Sequence, residues 1–120
     1  MTPAQLRRLV ALVRAGWAAF DDVVAEAPAE LRKGPRGGGR DRDKIVDHVC
    51  GAEVGYAAQL RVKLRQPAFG DAAALRKFRD AIVGALEKPA PDARWPVRYA
   101  ARRIAWHAVD HAWEIEDRSI

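Results

Sequence analysis

The chain has 120 residues, 49% of them hydrophobic and 31% charged, which is one domain's worth and enough to bury a core without cross-links. Its one cysteine, Cys50, excludes an internal disulfide and fits a reducing compartment, and no apolar run approaches the ~20 residues of a membrane span. The net charge of +5 is concentrated: Arg32, Lys33, Arg36, Arg40, Arg42 and Lys44 against Asp41 and Asp43 put +4 into residues 32–44, so the rest of the chain is close to neutral.

Taken in order, the first helix opens with Thr2 as N-cap and Pro3 at its first position. Leu6, Val10, Val13, Trp17, Phe20 and Val24 then recur at helical spacing, and the helix fades near Pro28. "AELRKGPRGGGR" reads as a loop, because interior glycines cost ~1 kcal/mol each and proline ~3. Asp41 or Asp43 caps a second helix that runs to about Leu64, with a stripe of Ile45, His48 or Val49, Ala52, Tyr56, and Gln59 or Leu60. "RQPAFG" breaks it. Asp71 caps the third helix, whose inward residues are Leu75, Phe78, Ile82, Val83 and Leu86. "EKPAPDARWP" ends that one. The fourth starts around Trp95, with Pro96 in its first turn, and runs to about Arg118. No segment alternates as a strand does. The expected architecture is all-α, a single four-helix up-and-down bundle over residues 1–120. The N-terminus shows no secretory signal pattern, so a soluble cytoplasmic protein is expected.

The chain's three histidines are His48, His107 and His111. Residues four apart on a helix lie ~40° apart around the axis, so His107 and His111 converge. They share a stripe with Ile104 and Ile115, while Arg98, Arg102 and Arg103 are assigned to other faces. His48 shares the stripe of Ile45, Ala52 and Tyr56, so all three imidazoles are expected to point into the bundle. Buried imidazoles need partners, and a divalent metal satisfies one nitrogen on each while leaving coordination positions open. Taken singly, each histidine also fits a core residue hydrogen-bonded to a carbonyl or hydroxyl.

The segments "GRDRDKIVDHVCGAE" and "RRIAWHAVDHAWEIEDR" resemble the second and closing helices of the DinB-like superfamily, which includes mycothiol-dependent maleylpyruvate isomerases. The resemblance implies an up-and-down four-helix bundle in which His48, His107 and His111 hold a divalent metal, zinc or nickel. It also implies, for some members, a transferase or isomerase using a low-molecular-weight thiol such as mycothiol, bacillithiol or glutathione. The chain is shorter than many relatives, and "GRDRD" stands where an aromatic residue usually precedes the second helix.

Around the histidines, Glu114 lies seven residues after His107 and three after His111. It is a candidate catalytic group, orienting a metal-bound water, or an acceptor for a ligand histidine's other N–H, and equally a solvated carboxylate near a helix end. Asp110 is expected in a salt bridge. Glu53 points away from His48 and suits an interhelical hydrogen bond. Cys50 reads as an inert small hydrophobe. Tyr56, two turns on from His48, reads as core packing, with lining a pocket as the alternative, and Trp106 and Trp113 read as an interhelical or homodimer contact. Arg36 and Arg40, in a glycine-rich segment before a helix, are candidate contacts for an anionic cofactor or substrate, although a solvated loop fits them as well. The segment is not a P-loop, since Arg40 and Asp41 replace the Lys and hydroxyl and no strand precedes it. The reading is thus a metal-binding protein acting on a small molecule by thiol transfer, isomerisation or hydrolysis. Two readings stand beside it: a non-catalytic helical interaction module, and a nucleic-acid binder using loop 32–44, ranked last because no recognition motif accompanies the charge.

Overall fold

The computed structural model describes residues 1–34 and 39–119. Four helices account for most of them: α1 (Pro3–Glu26), α2 (Arg42–Gln59), α3 (Ala72–Glu87) and α4 (Val97–Arg118). Helix α1 starts on a capping box, in which the Thr2 hydroxyl accepts from the Gln5 backbone N–H at 3.1 Å and the Gln5 side-chain Oε1 accepts from the Thr2 N–H at 2.8 Å. Asp71 caps α3 by accepting the Ala74 N–H at 3.0 Å. Asp41 occupies the N-cap position of α2 but does not bond the helix's own amides. Its carboxylate accepts the Leu31 N–H at 3.1 Å and pairs with Lys33, which ties the preceding loop to the helix start.

Two boundaries differ from expectation. Helix α2 ends at Gln59 rather than near Leu64. Arg61 takes φ 65°, in the left-handed region, and the Ala57 carbonyl accepts both the Leu60 and Val62 N–H groups, closing a turn that a helix cannot pass. Helix α4 starts at Val97, and Pro96 with ψ 146° is the cap rather than part of the first turn.

The helix directions follow from contacts at their ends and middles. The end of α1 meets the start of α2, where the Arg42 N–H donates to the Ala29 carbonyl. The end of α2 meets the residues leading into α4, where the Gln59 carbonyl accepts the Arg94 N–H at 2.8 Å. Phe20, Asp21 and Val24, near the end of α1, share a cavity wall with Asp71, Ala72 and Leu75 at the start of α3, while Arg14, earlier in α1, pairs with Asp80, so α3 runs antiparallel to α1. The Arg32 N–H donates to the Arg118 carbonyl, and Gly16 lies against Ala105, so α1 and α4 run parallel. The four-helix bundle is therefore as expected, but a strictly alternating up-and-down order is not: α2 and α3 point the same way. The reversal is possible because residues 61–71 do not continue α2. They form a non-helical strap back along it, pinned where the Gln66 amide donates to the Asp47 carbonyl at 3.2 Å.

The core is built from Val13, Trp17 and Phe20 of α1, Ile45, Val49 and Ala57 of α2, Phe78, Ile82 and Leu86 of α3, and Ile104, Ala108 and Ile115 of α4. Alanines on α4 let α1 approach closely: a Cβ on Gly16 would sit 3.1 Å from the Ala105 carbonyl oxygen. The expected interhelical bond of Glu53 is present, its buried carboxyl accepting the Trp17 indole N–H at 2.6 Å. Arg79 reaches both oxygens of Asp21, at 2.6 and 2.9 Å, with its guanidinium 5.2 Å from the Trp17 ring. Among the described residues no helix is long and apolar enough to cross a membrane.

Candidate metal centre

Antiparallel packing of α2 on α4 brings His48 to His107 and His111. The ring of His48 lies 4.7 Å from that of His111 and 5.3 Å from that of His107. On α4 itself the Nε2 atoms of His107 and His111 face each other at 3.1 Å. One nitrogen from each of the three residues falls within 4.8 Å of the others. Tetrahedral zinc with Zn–N bonds of ~2.0–2.1 Å separates its ligand nitrogens by about 3.3 Å. The α4 pair is already near that spacing, and the widest separation needs to close by at most about 1.5 Å, within reach of a side-chain rotation.

The burial of the three is unequal. His107 is 7% exposed, His111 is half-buried and His48 is exposed. The expectation that all three point into the core therefore holds only for His107. His48 sits at the rim because Ile45, Val49 and Ala57 take the buried positions of α2, which leaves His48, one residue before Val49, at the exposed edge beside the α4 histidines. The centre consequently opens to solvent on its His48 side.

The local chemistry fits a cation. Burial pushes His107 down to about 4, helped by the neighbouring His111 and His48 and by Arg103 and Arg40. Burial and then Arg40 and His111 likewise lower His48. Both imidazoles are thus neutral at neutral pH, the form that binds metal. The Nδ1 of His111 lies 2.7 Å from Oε1 of Glu114. An ionised carboxylate only accepts, so Nδ1 carries the proton and the Nε2 lone pair is aimed at the other two histidines. Burial raises Glu114, but its bonds with His111 and Arg40 outweigh that and hold it below the ordinary carboxylate range. With Nδ1 of His111 protonated, its Nε2 can only accept from the facing Nε2 of His107, and the buried Nδ1 of His107 has no partner among the described residues.

Comparison with protein-family models, curated proteins and solved structures gives no match to this chain.

The other candidate residues fall out as follows. Glu114 is at the centre, in contact with His111. Arg40 is there too, its Nη2 3.4 Å from Oε1 of Glu114, whereas Arg36 lies outside the described residues. Tyr56 is not plain core packing: it is half-buried and meets His107 edge-on, with ring centroids 5.5 Å apart. Cys50 is buried away from the histidines, and burial raises its thiol to about 11, as suits an inert residue. Asp110 makes no ion pair among the described residues. Trp106 and Trp113 are 55% and 61% exposed, and Trp106 borders an apolar groove between α1 and α4 together with Leu12, Gly16 and Ala105. An apolar cavity of about 240 Å³ lies across α2, lined by Phe20, Val46, Cys50, Phe69 and Leu75 among others, and none of the three histidines borders it.

Sequence reasoning missed Arg103. Its guanidinium lies 5.5 Å from the Tyr56 ring and 5.3 Å from that of Trp106, beside His107. The signal was present in the four-residue interval from Arg103 to His107, the same interval that joins the two histidines. Grouping it with Arg98 and Arg102 as a charged outer face hid it.

Proposed function

We propose that the chain binds one divalent cation, zinc or nickel, through His48, His107 and His111, and uses it on a small molecule. The convergence of one nitrogen from every histidine in the chain carries this reading. Neutral imidazole suits zinc and nickel among the common metals. Three such ligands leave a position free for a reactant, and the exposed side of His48 offers the approach. When bound, such an ion supplies Lewis acidity and lowers the pKa of a coordinated water or thiol.

The chain's own groups contribute position and charge. His107 is held by its burial and by Tyr56. Glu114 fixes the tautomer of His111. Since its Oε1 already takes His111 and faces Arg40, Glu114 serves here as a positioning group rather than as a proton shuttle. The resemblance to the DinB-like superfamily extends the proposal to a thiol-dependent transferase or isomerase, or a hydrolase. The nucleic-acid reading is not adopted: four of the six basic residues of segment 32–44 make contacts within the chain, Lys33 with Asp41, Arg40 with Glu114, Arg42 with Asp43 and the Ala27 carbonyl, and Arg32 with the Asp117 carbonyl.

Thermal melting tests the proposal. A ligand at 100 times its Kd adds about 2.7 kcal/mol, which in a domain of this size raises Tm by about 10 °C. Chelator should lower Tm, and added zinc or nickel should restore it, in the wild type but not in His107→Ala. Melting unchanged by either addition contradicts metal binding, and a shift that persists in His107→Ala contradicts this site.

A further inference from the structure

We infer that Arg103 makes the His48–His107–His111 centre selective for ligands that carry a carboxylate. The inference rests on the metal-site proposal and adds the class of ligand. Arg103 and His107 occupy the same face of α4, one turn or about 6 Å apart along the axis. The guanidinium is held between two aromatic faces, Tyr56 at 5.5 Å and Trp106 at 5.3 Å. Tyr56 is itself fixed, edge-on to His107 and 5.4 Å from Trp95. Arg103 is therefore a half-buried cation in a set position beside the ligand cluster.

What it lacks is an anion. Of the other partly buried arginines, Arg79, Arg42 and Arg40 each have a carboxylate partner, Asp21, Asp43 and Glu114, while Arg118, without one among the described residues, stands at the far end of α4, away from the two aromatic rings that hold Arg103. Among the described residues no carboxylate pairs with Arg103. Contacts with two rings immobilise a guanidinium, and although the Tyr56 hydroxyl lies within bonding reach of it, a neutral hydroxyl leaves the charge uncompensated and most of the fork of N–H donors free to match a carboxylate. A short ligand with a soft donor at one end and a carboxylate one helical turn away would engage both the histidine cluster and Arg103. Arg40, already facing Glu114, is less free to serve.

The probes are 3-mercaptopropionate and its neutral counterpart 3-mercaptopropan-1-ol, titrated into cobalt(II)-loaded protein and followed by sulfur-to-cobalt charge-transfer absorption. A charge-assisted bond predicts that wild type binds the acid about 10- to 100-fold more tightly than the alcohol. Arg103→Met, which keeps an apolar stem against Tyr56 and Trp106, should lose that preference while its affinity for the alcohol stays unchanged. Arg102→Gln, at an exposed arginine on another face of α4, should retain the preference. Equal binding of acid and alcohol by wild type overturns the inference without any variant, and so does a preference that survives in Arg103→Met. The cobalt d–d bands, recorded before thiol is added, separate the two failures. Their absence from wild type removes the metal site and this inference with it, whereas their presence without a carboxylate preference removes the inference alone.

Discussion

Replacing Glu53 with Gln should stabilise the protein at alkaline pH and barely change it at pH 4.5. Glu53 is fully buried, one oxygen accepting the Trp17 indole N–H at 2.6 Å and the other without a partner. Burial raises its carboxyl from 4.5 to about 7, against the opposing effects of Trp17 and Arg79. Between those two values the folded state holds a proton that the unfolded chain has released. The stability this group contributes is therefore complete below about pH 4.5 and is lost as pH rises through 7. At 1.36 kcal/mol per unit the loss is about 3 kcal/mol. His107 acts in the opposite sense: folded at about 4 against an ordinary imidazole value of 6.5, it withdraws a similar amount as pH falls. The two slopes oppose each other in wild type, so the difference between wild type and variant isolates Glu53. Gln keeps the acceptor for Trp17 but brings amide protons that lack partners, so about 3 kcal/mol is an upper value. Urea unfolding of metal-free protein at pH 4.5 and pH 8.5 measures it. A Glu53→Gln curve that runs parallel to wild type across that range refutes the reasoning.

Two glycines predict opposite signs. Gly16→Ala drives a methyl to 3.1 Å from the Ala105 carbonyl oxygen, so despite a better helix propensity it should destabilise by about 1–2 kcal/mol. Gly84→Ala meets nothing within 4 Å and should stabilise by roughly 0.5–1 kcal/mol, both changes being read by thermal melting. Glu114→Gln should weaken zinc binding about 10- to 100-fold in a competition titration while leaving the metal-free melt within about 0.5 kcal/mol. An unchanged zinc affinity would show that Glu114 does not orient His111.

The caps and stripes were legible because they are local. Thr2, Pro3 and Gln5 begin α1 through contacts within one turn, and His107 with His111 follow from helical spacing alone. The phase of α2 was harder. "His48 or Val49" was the limit of a stripe argument, since adjacent residues differ by only ~100° and α2 packs on more than one neighbour. The structure buries Val49 and leaves His48 at the rim. The shared direction of α2 and α3 was hidden because Arg61–Leu64 are compatible with a helix tail. Only the left-handed turn at Arg61 and the Gln66–Asp47 bond convert that stretch into a strap. Tyr56 and Arg103 became visible as parts of the centre only when α2 was seen against α4, because their meeting depends on packing between helices and not on any local pattern.

The central claim is that His48, His107 and His111 hold one metal ion. Elemental analysis of protein purified without a histidine tag, after equilibration with limiting zinc or nickel and gel filtration, tests it most directly. The account predicts close to one ion per chain in wild type and near none in His107→Ala. Substoichiometric metal in wild type, unchanged by His107→Ala, would contradict it.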